Sequence, residues 1–293
     1  MVTLLDGLSL GAIYALIALG YTMVYGIAKM LNFAHGDVIM VGAYAIFTFM
    51  TLTGNPIIGF IVSIFVCAIL GIIIEKLAYK PLRTASPLAV LITAIGVSNL
   101  LQGLAQYFSS ITIGTEPLNI KILNKLGQIK ITENLPSINI STIVTLVLSA
   151  IIMISLTLFI KRTKTGRAML AVSEDKGAAQ LMGINVNKII MITFAIGSTL
   201  ASFASLFLLI KVPLTPTFGA LPGIKAFAAA VIGGIGSIPG AMVGGILLGL
   251  IENLCQSNEI IAPYTTSIEF GLLILILLVK PAGILGKKIR EKV

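Results

Sequence analysis

The stretch from Leu31 to Tyr44, LNFAHGDVIMVGAY, sets the chain's one histidine beside Asn32 and Asp37, between two long apolar runs. An imidazole and a carboxylate two positions apart, His35 and Asp37, have the chemistry of a proton relay, and ionisable groups at membrane depth are costly enough to mark pathways. Asp37 also suits the start of the helix that follows, where a carboxylate can accept backbone N–H bonds at the positive end of the dipole. Three readings stand for Asn32, His35, Gly36 and Asp37: a helix break or cap at the edge of a path, a solvated turn near Lys29, or direct contact with a solute. The first is preferred. A second candidate is GGIGSIPGA, Gly233 to Ala241, where Gly233, Gly234, Gly236, Pro239 and Gly240 can break a helix.

Other chemistry is wanting. With one histidine there is no HExxH zinc motif, so a zinc-hydrolase reading fails. GGIGSIPG has the look of a dinucleotide loop, but Pro239 and Gly240 break the GxGxxG spacing and no strand precedes it. Cys67 and Cys255 sit in apolar segments without metal-ligand spacing and read as small buried hydrophobes. No GxxxxGK[ST] loop is present, so this chain is expected to bind no cofactor and no ATP by that loop. Any active transport must draw on an ion gradient or on ATP and magnesium held by another subunit.

The elements that position these residues belong in a bilayer. Of 293 residues 57% are hydrophobic and 11% charged, whereas a soluble domain is about a quarter charged. A span needs about 20 apolar residues. Leu8 to Ala28, Pro56 to Ile74, Thr84 to Thr115, Asn134 to Ile160, Ile189 to Ile210 and Phe270 to Val279 include such uncharged runs, some long and some short of a full span. Barrel-type alternation is missing, so the expectation is one all-α polytopic membrane bundle of about eight spans, a single domain over 1–293. The N-terminus lacks a basic leader region and reads as a retained first span.

The net charge of +9 invites a nucleic-acid partner, but the basic residues fall mainly in loops between apolar runs, where membrane topology explains them. Lys76, Lys80 and Arg83 form one cluster, Lys161, Arg162, Lys164, Arg167 and Lys176 a second, and Lys280 to Lys292 a third. Putting all three inside leaves an external connection at about 110–141, which carries Lys121, Lys125 and Lys130 of its own. Parity then requires Gly223 to Leu254 to begin and end outside, which predicts a broken or re-entrant helix near 224–254, two half-length helices meeting inside the membrane. SIPGAMVGGIL is the proposed counterpart of AHGDVIMVGAY, each a break ahead of a short glycine-containing helix. Gly236, Gly240 and Gly244, with Gly245 and Gly249, form small-residue rows that let helices approach closely. Asp6 and Glu252 read as interfacial acids. The connection at about 161–188 predicts a basic turn and then one polar-studded helix ended by Gly183. Its apolar face draws on Met169, Leu170, Val172, Ala178, Leu181 and Met182, which suits docking on a soluble partner or on lipid headgroups.

Three blocks resemble the permease subunits of bacterial branched-chain amino-acid ABC transporters, the LivH type of the LivH/LivM family. They are LNFAHGD with VGAY, TGRAMLAVSEDKGAAQLMGIN with TFAIGSTLAS, and KAFAAAVIGGIGSIPGAMVGGILLGLIENL. The resemblance implies a multi-pass protein of the bacterial inner membrane. It implies a related LivM-like permease, two ABC ATPase subunits and an extracytoplasmic solute-binding protein as partners. Gly177-Ala178-Ala179, followed by Gly183, resembles the EAA-x3-G coupling motif of importer permeases, with Gly177 where that motif has glutamate. That implies an ATPase-coupling surface over Arg167 to Asn185, including Glu174 and Asp175. A urea or short-amide permease and an ion-coupled secondary transporter are the alternatives.

Overall fold

The computed structural model describes residues 2–112 and 139–286. The helices, numbered among these residues, are α1 (Val2–Ala28), α2 (His35–Thr53), α3 (Pro56–Ile74), α4 (Pro87–Thr112), α5 (Ile140–Arg162), α6 (Lys164–Glu174), α7 (Lys176–Leu181), α8 (Val186–Leu209), α9 (Ala220–Gly233), α10 (Ile238–Gln256) and α11 (Thr265–Val279). Eight of them are long and apolar enough to cross a membrane, and among the described residues no strand occurs. Residues 113–138 of the expected external connection, and Lys287 to Lys292 of the third basic cluster, lie outside the described residues.

The centre of the bundle is α1. Its residues from Ile13 to Leu19 are enclosed on every side, as expected for a helix that is apolar all round. It runs antiparallel to α10, with Gly7 against Leu250 and Asn253 at one end and Gly26 facing Gly236 at the other. The two glycine rows of α10 face different neighbours. Gly240 and Gly244 lie on Gly233 and Ala229 of α9, and Gly245 and Gly249 lie on Ala15 and Gly11 of α1. In lipid, helices gain little from apolar burial against each other, so close backbone approach of this kind carries the packing. The outer helices α3, α4, α5 and α11 turn large side chains outward, among them Phe65, Ile92, Ile151 and Leu278.

Polar contacts fix the ends. Thr142 Oγ1 donates to Asp6 Oδ1 at 2.9 Å, joining the starts of α5 and α1. Ile284 and Leu285, after α11, donate backbone N–H bonds to Ile232 and Gly233, so the chain beyond α11 shares the end of the bundle reached by α9. Asp6 is thus an end-of-helix acid, as expected. Gly7 meets Leu250 and Asn253, so α10 also ends at the Asp6 end.

The predicted hairpin of Gly223 to Leu254 ends there, as parity requires, but differs in form. α9 has 14 residues and α10 has 19, and their turn lies beside Gly26 and Gly283, at the basic end, instead of inside the bundle. The first part of the crossing, residues 212–219, is a chain of turns in which Leu214, Phe218 and Gly219 are buried while Val212, Pro213 and Thr217 are exposed. The counterpart of the His35 break is therefore this stretch, LTPTFGALPG, and not SIPGAMVGGIL. Gly36, at the start of α2, touches Gly219 and Gly223, at the start of α9; a methyl on Gly223 would come within 2.8 Å of the Gly36 Cα, and one on Gly219 would overlap the Gly36 carbonyl. Two helices thus begin head to head within the bundle.

Ser205 Oγ donates to the Ile39 carbonyl at 2.6 Å and Ser63 Oγ to the Gly42 carbonyl at 3.0 Å, pinning α2 to α8 and α3. Cys67 is fully buried among these groups, and Cys255 is half-buried on α10. Gly36→Ala and Gly219→Ala are each expected to destabilise the purified protein by about 1–3 kcal/mol, the usual range for overpacking. Gly96→Ala, where a methyl meets nothing within 4 Å, is the control and should be neutral or stabilising in thermal unfolding.

Candidate functional site

The break after α1 is built from local geometry. Lys29 has φ 60°, the left-handed region, and its N–H closes on the Tyr25 carbonyl at 2.9 Å, ending the helix. His35 N–H then bonds the Asn32 carbonyl at 3.0 Å, which turns the chain back into α2. Tyr79, on a π-helical turn (Glu75–Tyr79) that extends α3, donates its hydroxyl to Asn32 Oδ1 at 3.0 Å. A π turn of this kind recurs at functional places because it re-aims a side chain.

His35 and Asp37 are 1% and 2% exposed, so the solvated-turn reading does not hold. They point to different helices. The His35 ring stacks edge-on against Tyr21 of α1, centroids 4.9 Å apart, and lies over Gly20, where no side chain leaves room for it. Among the described residues its Nε2 has no hydrogen-bond partner. Asp37 Oδ1 accepts from Gln102 Nε2 of α4 at 2.8 Å. The cap position of α2 is Ala34, which offers no side-chain oxygen, so the break is real while Asp37 acts from within the first turn, where its charge favours the helix dipole. Phe227 of α9 completes the cluster, 5.8 Å from Tyr21 and 5.0 Å from Phe33.

The second candidate set is elsewhere. Gly233, Gly234, Gly236, Pro239 and Gly240 form the α9–α10 turn at the basic end. Gly234 (φ 109°) and Gly236 (φ 92°) supply backbone that other residues rarely adopt, and Ser237 caps α10 with Pro239 in its first turn. The structure thus splits the predicted path residues into an internal junction and an end turn.

Sequence reasoning missed a buried ion cluster. Lys225 Nζ of α9 lies 2.7 Å from Glu252 Oε1 of α10 and 3.1 Å from Glu269 Oε2 of α11, all three buried. Glu252, read as interfacial, is therefore a tie between helices, and Gln256 Nε2 adds a bond to its Oε1 at 3.0 Å. The signal was available: a lone lysine in the apolar run GIKAFAAAVIG needs a partner in lipid.

At the basic end, the expected single coupling helix is two. α6 is capped by Thr163, whose Oγ1 accepts from Gly166 N–H at 2.9 Å; it stops at Glu174 because Asp175 is extended (φ −153°) and caps α7 through Gly177 and Ala178 N–H. Gly183, at φ 81°, ends α7, with Ile184 N–H bonded back to Ala179; Asn185 caps α8. Met169, Val172 and Ala179 face the bundle, while Arg167, Glu174, Gly177 and Ala178 are exposed. Leu181 and Met182 are 91% and 83% exposed, two large apolar groups at the end of α7, just before the Gly183 turn. Behind them a cavity of about 570 Å³ is lined by Arg83, Lys176, Gln180, Gly183, Asn185 and Asn187. Arg83 binds Glu75 and Asn187, tying the π-helical turn to the start of α8. Lys176 Nζ donates to the Ala28 carbonyl at 2.9 Å, and burial, then the nearby charges of Arg83 and Lys29, hold its ammonium below the usual lysine range.

A family model described as branched-chain amino acid transport system / permease component matches residues 3–278. The chain belongs to this permease family. It is 41% identical to the Escherichia coli (strain K12) high-affinity branched-chain amino acid transport system permease protein LivH, covering 98% of this chain and 96% of that one. It is 43% identical to the Pseudomonas aeruginosa permease protein BraD of the same description, covering 99% and 97%. A solved structure, PsaBC from Streptococcus pneumoniae in complex with Fab, aligns with 94% of this chain and 91% of its own at TM-score 0.52 and 15% identity, a likeness of fold.

Lys225→Met is expected to cost about 3–5 kcal/mol, since it strands two buried carboxylates, whereas Glu252→Gln keeps a one-to-one pair and should cost about 1 kcal/mol or less. Thermal unfolding of the detergent-solubilised permease reads both. His35→Ala, which empties space between α1, α2 and α9, should lower stability or transport rate and leave the preference among leucine, isoleucine and valine unchanged in competition uptake.

Proposed function

We propose that this permease is the membrane-spanning subunit of an ATP-driven importer for branched-chain amino acids in a bacterial inner membrane. Separate ATPase subunits, which hold ATP and magnesium, dock on α6 and α7. A related permease completes the membrane core, and an extracytoplasmic binding protein delivers the solute. This chain supplies no cofactor.

The observation that carries the reading is the α6–α7 hairpin: a short, fully capped pair of helices at the basic end, with Leu181 and Met182 presented to a partner. Exposed apolar groups of that size on a soluble face mark a docking surface. Capping at Thr163, Asp175 and Asn185, and the left-handed Gly183, make the hairpin stiff enough to pass a push into α5 and α8, which it joins directly. Such a push biases a two-state bundle between inward-open and outward-open arrangements. An ion-coupled relay is less favoured, because His35 and Asp37 turn to different partners. The names of the relatives favour branched-chain amino acids over urea or short amides.

Proteoliposomes holding the chain alone should show no accumulation of radiolabelled leucine, and those holding all subunits should accumulate it only with ATP. Accumulation by the chain alone, driven by a proton or sodium gradient, would reverse the reading. In the complete assembly, Gly183→Val forces a β-branched residue into left-handed backbone at a cost of about 1–2 kcal/mol. Together with charge reversal at Glu174 and Asp175, it should lower leucine uptake per ATP hydrolysed while the protein remains inserted.

A further inference from the structure

The α1–α2 break faces two ways. Toward the bundle it leads into His35, Gly36 and Asp37 and the head-to-head start of α9. Toward the basic end it is gripped by side chains from the docking side. Lys176, the first residue of α7, donates its ammonium to the Ala28 carbonyl at 2.9 Å, the group just before the left-handed Lys29. Tyr79 holds Leu31 and Asn32 three residues further on, at 3.3 and 3.0 Å, from the π-helical turn that Glu75 and Arg83 tie to α8. Among the described residues, Met169, Val172 and Ala179 are the buried apolar side chains of the hairpin.

Apolar contact tolerates sliding, whereas a charge-assisted hydrogen bond fixes one atom against another. The carbonyl that Lys176 takes belongs to the last turn of α1, which is left without an intrahelical donor once Lys29 turns away. A cation there also favours the negative end of the dipole. Displacing α7 by even one or two ångströms must then either break this bond or draw the end of α1 along. Lys29 stands in left-handed backbone, a conformation that costs a lysine energy and persists only while its surroundings enforce it. The hinge is therefore poised, and the bond to its neighbouring carbonyl is the polar handle on it.

We propose that Lys176 is a positioning residue for transport: it ties the ATPase-docking hairpin to the α1–α2 break, so that movement of α7 shifts Asn32 to Asp37 and with them the α2–α9 junction. This rests on the function proposed above. The alternative is that Lys176 only caps α1 and stabilises the fold.

The test is the complete assembly in proteoliposomes, with radiolabelled leucine uptake and ATP hydrolysis measured on the same preparation and the melting temperature of the assembly alongside. Lys176→Met keeps the aliphatic stem and removes the donor. It should lower leucine transported per ATP by about tenfold, the order expected from losing one charge-assisted hydrogen bond, with little change in melting temperature. Lys176→Arg, which keeps a cationic donor, should recover most of the ratio. Should the methionine chain fail to assemble, Lys176→Leu, which likewise has no donor, carries the same expectation. A wild-type ratio in Lys176→Met overturns the proposal, as does a lowered melting temperature with the ratio intact, which is the signature of a cap. Wild-type assemblies that hydrolyse ATP without accumulating leucine would instead defeat the functional reading on which the proposal stands.

Discussion

Backbone meets backbone at Gly36, Gly219 and Gly223, and most of the bundle's shape follows from that contact. Two helices start there and run in opposite directions, α2 toward the Asp6 end and α9 toward the basic end. Neither start can open into lipid, because the first backbone N–H groups of each helix lack intrahelical partners and an exposed irregular segment within hydrocarbon is untenable. The surrounding helices must therefore close over the junction. α1 does so with Gly20 and Tyr21, α8 with Gly197 beside Gly20, and α4 with Gln102 on Asp37. The enclosure of α1 is the packing expression of this requirement.

The junction also has an electrostatic side. Each helix start carries about half a positive charge, and two placed together repel in a low-dielectric interior. Asp37, in the first turn of α2, brings a carboxylate to that place; α9 has no acidic residue in its own first turn. Further along α9, Lys225 reaches Glu252 and Glu269, fixing the helix against α10 and α11. A short helix that begins inside the bundle has little apolar area with which to hold itself, and specific polar ties replace what length would supply.

The functional ends of the molecule are joined through few residues. The α6–α7 segment touches the end of α1, the end of α1 turns into α2, and α2 begins at the junction. Interfaces built from close-packed glycine and serine contacts have few intermediate arrangements, so small displacements at the hairpin convert into a choice between packings.

Hydropathy and charge determined much of this unaided. Pro56 to Ile74 is a span in both readings, since lipid demands an uninterrupted apolar helix and proline favours a helix start; the basic clusters and parity required a hairpin between Gly223 and Leu254. The special character of Asn32 to Asp37 was legible because polar residues between apolar runs need a reason, and the helical stop at Gly183 because its signal is local. What the linear pattern could not decide was which segments meet. The partner of His35's break is LTPTFGALPG, about 180 positions away, and a pattern of glycines carries no address. Glu252 looked interfacial because its lysine is contributed by another helix. The break at Asp175 and the tie from Lys176 to Ala28 depend on how hairpin and bundle are apposed. Periodicity and transfer energy act along the chain and can be read from it; close approach, ion pairing and the closing of a junction act between helices, and only the assembled bundle decides them.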